Sequence, residues 1–144
     1  MFLDRSIEDA KSKDEILDII NSFDFKNIFF MRDIKNIIIF GSLYNGNFTV
    51  ESDVDIAIIR KNKLSFTEEL EIITELEDIL GRNVDIIDIN DDNINNVIKF
   101  DALNSKLIIN NDELLEESRI YYDRLYKENE EFWCFLDKAV LGDE

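Results

Sequence analysis

Two aspartates, Asp53 and Asp55, open the apolar run Ile56-Ala57-Ile58-Ile59. A strand alternates its side chains with period two, so both carboxylates fall on one face, about 6 to 7 Å apart. Such groups at the mouth of an interior strand repel each other and resist desolvation unless a cation lies between them. Their oxygens suit a hard divalent ion such as magnesium, which usually keeps substrate phosphates among its other ligands. Upstream, Ile37-Ile38-Ile39-Phe40 runs into Gly41-Ser42, a buried strand that stops at a turn. Gly41 would let a phosphate approach the backbone. Ser42 adds a hydroxyl at an expected helix start, where N–H groups point outward.

Gly41-Ser42, ten further residues and Asp53-Val54-Asp55 together form a pattern that resembles the signature of nucleotidyltransferases of the DNA polymerase β superfamily. More closely, the chain is similar to the minimal nucleotidyltransferases found as antitoxins beside HEPN-domain ribonuclease toxins. Gly46 matches a further glycine in the linking turn, and the likeness runs from about Ile34 to the aromatic helix near the end. Members often carry arginines between the serine and that later glycine; Leu43, Tyr44 and Asn45 stand there instead.

The resemblance implies a third catalytic carboxylate at Asp85, one residue into the apolar stretch Val84–Ile89. It implies nucleotide binding at Gly41 and Ser42, with two magnesium ions held by Asp53, Asp55 and Asp85. The implied reaction is transfer of AMP from ATP to a tyrosine hydroxyl of a HEPN toxin, which silences the toxin. Two alternatives stand beside it. One is an antitoxin of weak catalysis that acts by occlusion, a reading the missing arginines favour. The other is a small-molecule enzyme of the aminoglycoside type, although those usually bring an additional helical domain.

The elements that must hold these groups follow from periodicity and capping. A helix is expected from Ser6 to about Asn21-Ser22, then a short helix or loop whose Phe23, Phe25, Ile28, Phe29, Phe30 and Met31 cover one sheet face. Strands are expected at Asn36–Phe40, Val54–Ile59 and Val84–Ile89, with a fourth at a sheet edge over Lys106–Asn110. Between them lies a scaffold helix capped by Ser65 or Thr67, with Leu70, Ile73, Leu76, Ile79 and Leu80 on its apolar face and Gly81 ending it. Asp91 to Lys99 reads as a short helix. A long helix from Asn111 or Asp112 carries Tyr121, Tyr122, Tyr126, Phe132 and Trp133 over too wide an arc for one buried stripe, and part of it suits a protein interface. Asp88 faces away from Asp85 and needs a cap or solvent role. Arg60-Lys61-Asn62-Lys63 is the one dense basic run, either a solvated loop or a phosphate contact.

The expected architecture is thus α/β (α+β): a small mixed sheet with helices packed on it, palm-like, in a single domain over 1–144. N-terminal helices would occupy 1–33, the catalytic core 34–110 and a C-terminal helix 111–144. The chain has 144 residues, no histidine and one cysteine, Cys134. Imidazole triads, the usual zinc sites and an internal disulfide are therefore excluded. A formal charge of −17 opposes direct nucleic-acid binding and favours a basic protein partner. With neither a membrane-spanning run nor a signal-peptide pattern, a cytoplasmic location is expected.

Overall fold

A computed structural model describes residues 11–128. The proposed helix start at Ser6 and the aromatic residues Phe132 and Trp133 lie outside them, as does Cys134. The first described helix, α1 (Lys13–Ile20), begins at Ser12, whose side chain accepts from the Glu15 N–H while Glu15 reaches back to the Ser12 N–H. α2 (Phe23–Phe30) is capped by Ser22, and it buries Phe25, Ile28 and Phe29 while Phe23 stays exposed. The aromatic cluster is a helix, and it covers a sheet face as its composition suggests.

Four strands form one mixed sheet in the order β3-β2-β1-β4. They are β1 (Asn36–Phe40), β2 (Val54–Ile59), β3 (Val84–Asp88) and β4 (Leu107–Asn110), with β1 and β2 joined through the short α3 (Ser42–Asn45). β1 is central and buried along its whole length. It pairs antiparallel with β2 and with β4, whereas β2 and β3 run parallel. β4 lies at an edge and is only half-buried, as expected.

Alternation along β2 divides the core. Val54, Ile56 and Ile58 join the cluster formed with Ile16, Ile20, Phe25, Phe29, Ile72 and Leu76, the side of α1, α2 and α4 (Phe66–Leu80). Ala57 and Ile59 join the opposite cluster with Ala102, Leu103 and Leu115, the side of α5 (Asn96–Leu103) and α6 (Glu113–Glu128). A one-residue slip would exchange these faces and turn the Asp55 carboxylate into the first apolar cluster.

Three elements differ from expectation. The helix expected from Ser6 to about Asn21 is not continuous: Lys11 and Ser12 lie outside any helix, because the Ser12 capping box starts a new one at Lys13. α4 starts at Ser65 through a full capping box and ends at Gly81 in the left-handed region. Its buried row, however, is Ile72, Leu76 and Leu80, with Leu70 exposed and Ile73 and Ile79 only partly covered. α5 begins five residues later than the apolar spacing indicates. The Asp91 carboxylate accepts from the Asn93 N–H and the Asn95 side chain from the Val97 N–H. These Asx turns satisfy the backbone outside a helix until Asn96.

Asp88 is buried and takes a capping role: one oxygen accepts from the Leu64 N–H at 2.7 Å and the other from the Asn90 N–H at 3.0 Å. Arg60 is engaged by Glu68 through both guanidinium nitrogens, each at 3.0 Å, and by the carbonyls of Arg32, Asn62 and Lys63. Lys63 pairs with Asp91. The basic run is thus largely a strap between the end of β2 and the start of α4. Among the described residues no helix is long and apolar enough to cross a membrane.

Candidate active site

The parallel register between β2 and β3 places Asp55 directly opposite Asp85. Both have the parity of residues packed in the second cluster, Ala57 and Ile59 on β2, Ile87 on β3 and Ile89 just after it. The two carboxylates therefore share a face and lie one strand spacing apart, about 4.8 Å between backbones. Asp53 precedes β2 by one residue and is exposed. Its charge acts on Asp55, so the three acids form one electrostatic group.

Asp55 bears the consequence. Burial pushes its carboxyl up to about 6, the charges of Asp85 and Asp53 add to the rise, and so does a hydrogen bond to Asp85. That bond exists only while one carboxyl group carries a proton. A carboxyl held partly protonated near neutral pH by like charges marks a place where a cation would be favoured in the proton's stead.

The antiparallel pairing of β1 with β2 brings Phe40 opposite Asp55, so the chain leaves β1 directly over that carboxylate. Gly41 has φ +72° and ψ −150°, a conformation open essentially to glycine alone. A Cβ there would lie 2.0 Å from Oδ2 of Asp55. Glycine is required because the carboxylate fills the space a side chain would need, a reason the sequence does not disclose. Ser42 follows as the first residue of α3, which closes when the Gly46 N–H donates to the Ser42 carbonyl. Within α3, Leu43 is buried, while Tyr44 and Asn45 are exposed.

Among the described residues no three His, Cys, Asp or Glu side chains are arranged to enclose a metal ion by themselves. Magnesium is typically held by one or two carboxylates with substrate phosphates completing its shell. The hard oxygens of Asp53, Asp55 and Asp85, with Asp55 strained by uncompensated charge, fit that mode of binding.

One buried residue beside the site escapes sequence reasoning. Arg82 follows the glycine that ends α4, and its side chain reaches the loop before Asp53, donating to the carbonyls of Thr49 and Ser52. Its only signal in the sequence is a lone cation between a helix-ending glycine and a strand.

Comparison with known proteins follows the same outline. The family model described as "Polymerase beta, Nucleotidyltransferase" matches residues 24–114. A Methanocaldococcus jannaschii protein named "Putative protein adenylyltransferase MJ1379" is 48% identical over 56 residues. That match spans 38% of this chain and 56% of the relative's length. Among solved structures, a toxin–antitoxin crystal structure with AMP-PNP superposes with a TM-score of 0.65 at 21% identity, covering 83% of this chain and 99% of the other. A tri-AMPylated Shewanella oneidensis HEPN toxin in complex with MNT antitoxin gives a TM-score of 0.59 at 19% identity, covering 83% and 98%. At these identities the structural likeness speaks for the fold.

Proposed function

The chain belongs to the polymerase β nucleotidyltransferase family, and we propose that it transfers AMP from ATP to a tyrosine hydroxyl of a partner HEPN ribonuclease toxin, neutralising it. The observation that carries this reading is the Asp55–Asp85 pair beneath Gly41, with Asp53 adding charge beside it. Support also comes from the relative named "Putative protein adenylyltransferase" and from solved neighbours, one a toxin–antitoxin with AMP-PNP and one a tri-AMPylated HEPN toxin in complex with MNT antitoxin.

In this reading Asp53, Asp55 and Asp85 would supply the carboxylate oxygens for magnesium, with the nucleotide's phosphates completing its shell. Such ions, when bound, neutralise phosphate charge and favour ionisation of the acceptor hydroxyl. Gly41 and Ser42 border the triphosphate. Asp85 orients the acceptor hydroxyl and takes its proton. The tyrosine oxygen forms the new bond to the α-phosphorus, the bond from that phosphorus to the bridging oxygen breaks, and pyrophosphate leaves. ATP as donor and the lone Cys134 fit a cytoplasmic reaction.

Incubation of the purified chain with α-labelled ATP, magnesium and its neighbouring toxin tests the reading. Label should enter the toxin with the wild type. It should be lost with Asp53→Ala or Asp55→Ala while the complex still forms. A second reading, neutralisation by occlusion, is favoured by α3, whose Leu43, Tyr44 and Asn45 offer no cation to a triphosphate. It predicts that both variants neutralise the toxin as well as the wild type does.

A further inference from the structure

We propose that Arg82 is a positioning residue for Asp53, fixing the loop from which that carboxylate projects; the proposal rests on the nucleotidyltransferase reading above. Arg82 is 5% exposed. One guanidinium nitrogen, Nη1, donates to the carbonyls of Thr49 and Ser52, both at 2.8 Å. The other, Nη2, donates to the carbonyl of Lys11 at 2.8 Å. The guanidinium carbon lies 4.4 Å from the centre of the Phe48 ring. Among the described residues no carboxylate pairs with it, although the chain carries 33 acidic residues. A buried guanidinium needs its N–H groups satisfied, and the three bonds this one makes among the described residues all go to backbone carbonyls.

The backbone it holds is a tight turn. The Ser52 N–H donates to the Thr49 carbonyl at 3.1 Å, and the Thr49 N–H donates to Ser52 Oγ at 2.9 Å. Arg82 binds both ends of that turn from outside, and the next residue is Asp53. On the far side, the Val54 N–H donates to the Asn83 carbonyl at 2.9 Å. Residues 82 and 83 therefore grip the chain on both sides of Asp53, three and two positions before Asp85. Displacement of the loop would move Asp53 relative to the Asp55–Asp85 pair. A lysine ammonium, a point charge without the planar fork, holds the same carbonyls less well.

Arg82→Met and Arg82→Lys test this by hydrogen exchange of residues 49–54 in the metal-free chain, by thermal melting, and by the Mn2+ concentration at half-saturation. For Arg82→Met we expect at least tenfold faster exchange in 49–54, with the interior of β1 unchanged, and a half-saturation point raised at least fivefold. Arg82→Lys should fall between it and the wild type, and it decides by the same readouts if the methionine variant does not fold. Folded variants with unchanged loop exchange, with exchange raised uniformly in step with lost stability, or with an unchanged Mn2+ midpoint overturn the proposal. If the wild type binds no Mn2+, the nucleotidyltransferase reading fails instead. Loop exchange alone then decides whether Arg82 restrains Asp53.

Discussion

Asp55 sits in a position that stability alone would not choose. Its folded carboxyl binds a proton more tightly than an unfolded one, since burial and the neighbouring acids raise it to about 6. Between roughly pH 4 and 6 the folded chain holds more protons than the unfolded chain, so ionisation of Asp55 weakens the fold as pH rises. Asp55→Asn keeps the shape and removes the charge. At pH 7.5, without divalent ions, it should stabilise the chain by about 1 to 2 kcal/mol, a figure discounted for the side chain's partial exposure. The gain should vanish below about pH 4, where Asp55 is neutral in either state. Urea denaturation at the two pH values measures it. The same variant should lose transfer activity, because a group retained at a cost to stability serves the chemistry. The strand bearing Asp55 and the turn at Gly41 were legible in the sequence, since apolar runs and a glycine suffice to mark them. The reason for Gly41 was not, because it depends on the β1–β2 register that puts Oδ2 of Asp55 where a Cβ would stand.

The elements show what local sequence can and cannot specify. Strand limits and the ends of α4 followed from apolar runs bounded by Ser65 and Gly81, whose capping is a short-range property. The start of α5 did not, because the Asp and Asn side chains at 91 and 95 redirect backbone bonds that apolar spacing assigns to a helix. Nor did the orientation of α4, which depends on packing and on the ion pairs along its flank. Arg32 binds Glu75 at 2.6 Å, and Arg60 binds Glu68 through two bonds. Glu68 is held down to about 2, chiefly by Arg60 and then by the Ser65 N–H. Its folded carboxyl is more acidic than the unfolded one, so its contribution is complete above about pH 4.5 and is lost as pH falls towards 2. Glu68→Gln should cost about 1 kcal/mol at pH 7, allowing for solvent screening. Wild type and variant should converge in acid, as chemical denaturation across that pH range would record.

At the scale of the molecule, one sheet serves two purposes. Its α1, α2 and α4 side is lined by apolar residues, whereas its α5 and α6 side carries Asp55 and Asp85 in line with a second apolar cluster. Side-by-side parallel strands bring together acids thirty residues apart, and an antiparallel neighbour bends at Gly41 over them. The mixed sheet with helices could be read from the order of elements. The register that makes the acids meet could not, since it arises from long-range pairing. The charge of −17 makes such a cluster still less tolerant of bare carboxylates and points again to compensation by cations. Titration of the full chain with Mn2+, followed by electron paramagnetic resonance in the presence of a non-hydrolysable ATP analogue, tests that claim most directly. Saturable binding by the wild type, weakened at least tenfold in folded Asp55→Asn and Asp85→Asn, is the predicted result. Equal binding by the wild type and both variants, or none by any of them, would contradict it.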